Sequence, residues 1–200
     1  RWLRIVGVAD LNPLRRAAVA DLYGLSPQQC FESAEELAAR PQFADVVING
    51  TMDHQHVPTS LPLLAAGYDM LLEKPFATYE AEMWDLVRAA RKYRRKVIIC
   101  HVLRYTPFYA AIRQQVADGV IGDVFSVQTI EHVSYHHMAV AYIRGKWAQP
   151  SVSYTSMLMA KCCHDLDLIA WMKSGIRPRS VASFGSNFQF RPENAPANAG

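Results

Sequence analysis

Apolar positions follow two alternating rhythms along the first part of the chain. Short runs of aliphatic and β-branched residues give way to stretches where apolar residues recur every three or four positions. The runs at 4–9, 45–49, 70–73 and 97–100 read as strands, with a short extended piece at Cys30-Phe31. The helices between them have marked ends. Asn12-Pro13 opens one that reaches about Tyr23 and stops at Gly24. Ser33 caps a helix over 34–39, with Glu36 in the capping-box position. A helix over 57–66 is closed by Gly67, and Thr78 caps a long amphipathic helix to about Tyr93. Strands alternating with helices of this length predict right-handed βαβ units, a parallel sheet and the α/β class.

The rhythm changes after Gly119. A helix over 106–118 is followed by a loosely alternating run, Val124–His132, which reads as a strand. A long loop holding Trp147 and Pro150, a helix over 155–172 and a strand near 180–184 complete the pattern. That order predicts a second, α+β domain with its boundary near Gly122, so the expected domains are 1–121 and 122–200.

Composition narrows the function classes. The 200 residues are 50% hydrophobic and 20% charged, which excludes a disordered chain. The net charge of +3 is too mild and too evenly spread for a nucleic-acid or anionic-membrane partner. No apolar run approaches the length of a bilayer span, and there is no signal-peptide pattern. Cys30, Cys100, Cys162 and Cys163 form no CxxC pair and read as reduced thiols of a cytoplasmic protein. The chain opens on Arg1 almost directly in a strand and closes over 191–200 without a fold signal, so both ends are expected to be cut.

Several residues carry candidate chemistry. Asp10 ends the first strand, where a doubly wound fold presents an acid to the ribose of a dinucleotide. A carboxylate there accepts ribose hydroxyls and repels a 2′-phosphate, favouring NAD over NADP, while Arg15 and Arg16 one turn on weaken that preference. The same Asp10 equally suits a cap on the Pro13 helix. Lys74, in Glu73-Lys74-Pro75, follows a strand end where open α/β sheets bind ligands, and Pro75 keeps it out of helical conformation. A surface lysine at a strand exit is the competing reading. In Ala160-Lys161-Cys162-Cys163-His164-Asp165-Leu166-Asp167, Lys161, His164 and Asp167 share a helix face, which suits an imidazole tuned as a general base. A Lys161–Asp165 surface pair with a packed histidine fits the same letters.

His101, Arg104 and Tyr105 follow the strand at 97–100 and suit hydrogen bonds to a polyol or cofactor. The loop from Thr51 to His56 lies at the same edge. Histidines 54, 56, 132, 136 and 137 lack carboxylate or thiolate partners at ligand spacing, so no metal is expected. GxSxG, P-loop and HExxH patterns do not occur.

In order, the segments Val8-Ala9-Asp10-Leu11-Asn12-Pro13, Val47-Ile48-Asn49-Gly50-Thr51, Glu73-Lys74-Pro75, His101 with Arg104-Tyr105, Ile121-Gly122-Asp123-Val124, Arg144-Gly145-Lys146-Trp147 and His164-Asp165-Leu166-Asp167 resemble the Gfo/Idh/MocA oxidoreductases. The resemblance spans essentially the whole chain. It implies a Rossmann domain, then part of a substrate domain with an open sheet that often serves in homo-oligomers. It also implies a nicotinamide cofactor, NAD or NADP, and a sugar, polyol or related substrate. By that resemblance Lys74 and His164 are catalytic, the cofactor lies on Asp10, Thr51, His56, Glu73, Lys74 and Arg104, and the substrate meets His101, Tyr105, Trp147 and Asp167.

The sequence departs from the family pattern twice. Many members carry an Asp four residues before the active-site His, where this chain has Ala160, so Lys161 is expected to share the site. The loop after Thr51 reads Met52-Asp53 instead of Pro-Asn. The glycine-rich phosphate loop should precede Asp10 by roughly 20 residues, before Arg1. A chain lacking that segment should form two sheet fragments and bind NAD poorly on its own. Two other functions use the same scaffold: an NAD-dependent glycosidase without net redox change, and a silent sugar-and-nucleotide sensor.

Overall fold

The computed structural model describes residues 3–186, 188–195 and 197. Arg1, Trp2 and positions 196 and 198–200, which belong to the two ends read above as cut, lie outside the described residues. The chain packs as two compact units, residues 1–101 with 153–163, and residues 102–152 with 164–200.

The first unit is built from parallel strands and helices. Strand β1 (Val8–Ala9) leads to helix α1 (Pro13–Tyr23), β2 (Cys30–Phe31) and α2 (Ala34–Ala38). Then come β3 (Val46–Asn49), α3 (His56–Ala65), β4 (Asp69–Leu72), α4 (Glu80–Tyr93) and β5 (Val97–Ile99). The Asn12 side chain caps α1 by accepting the Leu14 and Arg15 N–H groups at 2.9 and 3.3 Å. Gly24 ends it at φ 64°, a left-handed turn that glycine takes without a Cβ clash. Ser33 caps α2 as expected, but Glu36 reaches past it to the Glu32 N–H at 2.6 Å.

The strands form two parallel sheets. In one, β1 pairs with β2; in the other, β4 lies between β3 and β5, with Val46 opposite Asp69 and Met70 opposite Val97. Met70 and Leu72 on β4 are buried against Val57, Leu63 and Leu64 of α3 and Leu86 and Ala89 of α4. Burying each such aliphatic side chain contributes about 1.5–3 kcal/mol, and this cluster anchors the unit. Val46, Ile48 and Ile98 point the other way and remain about half exposed, so the helices cover one face of the three-stranded sheet.

Two boundaries differ from the sequence reading. The strand expected over 4–9 shortens to Val8–Ala9, because a strand needs a hydrogen-bonded neighbour and β2 supplies only two residues of register. Thr78 is not a cap. Helix α4 begins at Glu80 after Tyr79, and the Glu82 carboxylate instead accepts from the Thr78 N–H and hydroxyl at 3.2 and 3.0 Å.

The second unit holds α5 (Pro107–Ala117), α6 (Tyr135–His137), a π-helical segment Met138–Ile143 and α7 (Pro150–Ser153), whose last residue belongs to the first unit. Helix α8 (Met157–Met172) starts in the first unit and ends in the second. The segment around Trp147, expected as a loop, is thus bracketed by helical turns. Gly145 is indispensable there: a Cβ would run into the Val140 carbonyl oxygen and lie 2.8 Å from that of Ala141. The strands expected at 124–132 and near 180–184 are absent among the described residues, and so is the open sheet they would build. Phe125 and Phe184 are each 97% exposed, so neither segment has a neighbour to complete a ladder or bury its apolar side chains.

Candidate active site

Open α/β sheets bind ligands beyond the carboxyl ends of their strands, and in the first unit the candidate residues gather there. A cavity of about 280 Å³ lined by Arg4, Gln29, Arg40 and Phe43 lies at the opposite, amino-terminal end of β1 and β2 and holds none of them.

Asn49 closes β3 and is 4% exposed. Its amide nitrogen donates to the His56 carbonyl at 3.1 Å and to the Thr59 and Ser60 hydroxyls at 2.9 and 3.0 Å. Its amide oxygen accepts from the Thr51 N–H and hydroxyl at 3.2 and 2.9 Å, so Thr51 is turned into its own loop. His56 is 1% exposed. Its Nδ1 lies 2.7 Å from the Pro75 carbonyl oxygen and its Nε2 3.0 Å from that of Thr51. Each ring nitrogen therefore faces a backbone carbonyl oxygen, and a neutral imidazole donates from one of the two.

Beyond β4, the Glu73 N–H donates to the Asn49 carbonyl at 2.9 Å, and a Glu73 carboxylate oxygen accepts the Lys74 N–H at 3.1 Å. The Lys74–Pro75 peptide is cis. Lys74 is half-buried, and its Nζ donates to the Ala160 carbonyl at 3.0 Å, beside Lys161 on α8. The lysine thus turns inward at the strand exit and does not extend into solvent. Beyond β5, burial pushes the Cys100 thiol up from its ordinary value, and the adjacent Glu73 carboxylate pushes it the same way. His101 follows, half-buried, its N–H donating to the Ile99 carbonyl at 2.7 Å.

Asp10, beyond β1, accepts the Asn12 N–H at 2.7 Å and two nitrogens of Arg15 at 2.8 and 2.7 Å. The Arg15 hydrogen bond holds its carboxyl below the usual range. The cap that Asp10 could have supplied comes from Asn12. Arg16 turns the other way, donating to the Asp10 carbonyl at 2.6 Å.

In the second unit, Arg104 and Asp167 meet each other. Arg104 Nε and Nη2 donate to the two Asp167 oxygens at 2.6 and 2.5 Å, a bidentate fork. The Arg104 guanidinium also lies 5.7 Å from the Trp171 ring centre, and that of Arg113 5.9 Å away. This pairing engages the cofactor candidate Arg104 and the substrate candidate Asp167 in one strut. His164 is half-buried on α8, three residues before Asp167. Trp147 packs with Tyr142 at 6.3 Å, whereas Tyr105 is 73% exposed.

Sequence reasoning missed two features. One is Asn49, whose signal was a buried-strand pattern ending in a polar amide. The other is an aromatic group in the first unit: Tyr154 lies 5.5 Å from His54 and 6.0 Å from Tyr79, and it adopts a left-handed φ of 55°. Nothing local marked Tyr154, since its partners are distant in sequence. No group of three or more His, Cys, Asp or Glu among the described residues is placed to hold a metal ion, and no described helix is long and apolar enough to cross a membrane.

This arrangement matches known proteins. The family model described as "Oxidoreductase family, NAD-binding Rossmann fold" fits residues 1–101. The trans-1,2-dihydrobenzene-1,2-diol dehydrogenase of Sus scrofa is 29% identical over 161 residues, covering 80% of this chain and 46% of its own. The inositol 2-dehydrogenase of Rubrobacter xylanophilus is 26% identical over 169 residues, covering 84% and 44%. The structure of the WlbA dehydrogenase from Bordetella pertussis in complex with NADH and UDP-GlcNAcA aligns with a TM-score of 0.69 at 22% identity, covering 84% of this chain and 47% of that one. The chain spans a little under half the length of these relatives. With its parallel βα units and a family model matched over its first 101 residues, this chain belongs to the Gfo/Idh/MocA family of oxidoreductases, with the NAD-binding Rossmann fold.

Proposed function

We propose that this chain supplies the nucleotide-binding domain (1–121) and part of the substrate domain (122–200) of an NAD(P)-dependent oxidoreductase acting on a sugar, polyol or related alcohol. One observation carries the reading: the Lys74 ammonium, at the carboxyl end of β4, is drawn inward to within 3.0 Å of the Ala160 carbonyl. An amine held at that edge is placed to stabilise oxygen charge in a substrate.

The residues present fit a dinucleotide. Asp10 offers carboxylate oxygens to ribose hydroxyls once the 63%-exposed Arg15 side chain swings aside, and Glu73 and Lys74 line the exit of β4 in the same unit. A nicotinamide held there would supply the hydride acceptor or donor for the alcohol carbon. Lys74 donates a hydrogen bond to the reacting oxygen. His164 takes the hydroxyl proton at a ring nitrogen, which an alcohol does not release unaided at neutral pH. Lys161, three residues before His164 in the sequence, shares the site in this reading. The similarity to dihydrodiol and inositol dehydrogenases supports a cyclic diol or polyol as the substrate class.

The test is nicotinamide reduction by the natural protein across a panel of inositols, aldoses and cyclic diols, with Lys74→Ala and His164→Ala beside the wild type. Each substitution should cost at least about a hundredfold in kcat, the lower range for a lost acid–base or charge-stabilising group. Turnover surviving either change within about tenfold, roughly 1.4 kcal/mol, refutes the assignment.

A further inference from the structure

We infer that His56 is a positioning residue for Lys74, acting through the Pro75 carbonyl. His56 opens α3, is 1% exposed, and places its two ring nitrogens against two backbone carbonyls from different segments. Nδ1 is 2.7 Å from the oxygen of Pro75, the residue after Lys74; Nε2 is 3.0 Å from that of Thr51. The backbone carbonyl of His56 is itself held by the Asn49 amide at 3.1 Å and the Ser60 hydroxyl. Asn49 in turn holds Thr51, and the Asn49 carbonyl accepts the Glu73 N–H at 2.9 Å. The turn carrying Lys74 is therefore tied on both sides: at Glu73 to the end of β3, and at Pro75 to the start of α3. A carbonyl only accepts and a neutral imidazole has one N–H, so that proton is assigned to Nδ1, the nitrogen with the shorter contact, facing Pro75. A rigid imidazole between two loops sets the direction of that N–H, where a flexible side chain would not. Its inferred consequence lies at the lysine: fixing the Pro75 peptide holds the turn from which Lys74 reaches the Ala160 carbonyl at 3.0 Å.

The functional meaning rests on the proposed role of Lys74, but the geometry is testable without turnover. Lys74 acetylation by an amine-reactive ester is followed by peptide mass spectrometry, relative to the other lysines, on the folded chain. His56→Ala should raise the Lys74 rate about fivefold, the effect expected for one lost hydrogen bond. His56→Asn keeps a donor near the Nδ1 position and should restore protection. His56→Gln keeps one near Nε2, facing Thr51, and should not. A role in general stability alone predicts that Asn and Gln behave alike. Should His56→Ala fail to fold, the Asn and Gln pair decides the matter, together with ring N–H exchange at His56 by NMR in the wild type. Exchange at the rate of a free imidazole, or Lys74 labelling indifferent to position 56, overturns the inference. A catalytic lysine with labelling indifferent to position 56 would sink this inference and leave the function standing; labelling that follows position 56, with turnover unchanged in Lys74→Ala, would do the reverse.

Discussion

Arg104 and Asp167 give the sharpest quantitative expectation, because both were candidates for ligand contact and the structure joins them. Asp167 is 10% exposed and Arg104 34%, and the pair makes two charge-assisted hydrogen bonds at 2.6 and 2.5 Å. Replacing Arg104 with Leu leaves a mostly buried carboxylate facing an apolar group. Truncating one partner of a well-buried pair costs 3–5 kcal/mol, and one-third exposure of the arginine brings that down to about 2–3 kcal/mol. Asp167→Asn should cost less, about 1–2 kcal/mol, since an amide still accepts one bond. The double variant Arg104→Leu/Asp167→Leu removes the orphaned charge, so it should recover part of the loss, with a coupling of about 1–2 kcal/mol. Urea unfolding followed by tryptophan fluorescence suits the measurement, because Trp171 lies against the same guanidinium. Additive losses, with coupling below about 0.5 kcal/mol, would show that the fork holds nothing in place. Binding losses for a nicotinamide or polyol far beyond the loss of stability would return both residues to the ligand.

Three further outcomes are expected. Leu72→Ala, at a side chain with no exposure in the middle strand, should lower unfolding free energy by about 2–5 kcal/mol in urea denaturation. Gly145→Ala should cost about 1–3 kcal/mol, because backbone carbonyls, not side-chain ends, meet the new methyl; an unchanged thermal midpoint would contradict the packing described. Asp10 titrates below its ordinary 3.8 in the folded chain, so its stabilisation is full above that pH and is lost as pH falls through the lower folded value. Asp10→Asn should flatten that acid limb, and identical acid limbs in the two proteins would show that the Arg15 pairing is not formed.

What could be read from sequence divides along a physical line. The elements of the first unit were legible because their signals are local: Asn12-Pro13 and Gly24 bracket α1, and Met70 and Leu72 sit in a run only a buried strand tolerates. The expected strands at 124–132 and 180–184 failed because alternation describes half of a pairing; a strand exists only where another backbone answers it. Thr78 shows a subtler limit. A cap was read from residue type, but Glu82 occupies that hydroxyl and the helix starts two residues later.

The same distinction explains the site. Lys74 could be found from its own neighbours, since a proline after a strand-end lysine is a local mark. His56 could be noticed but not understood, because its meaning lies in two carbonyls, one five residues before it and one 19 residues after it. Asn49 shows the cost of reading letters one at a time: as the last residue of a strand it looks like a stop, yet its amide meets three acceptors on α3 while its oxygen holds Thr51. Polar groups buried this deeply are stable only when their bonds are satisfied, which fixes the loops they join. The end of β3, the start of α3 and the lysine turn therefore behave as one rigid piece, and a substitution at any of the three should register at Lys74 before it registers in the core.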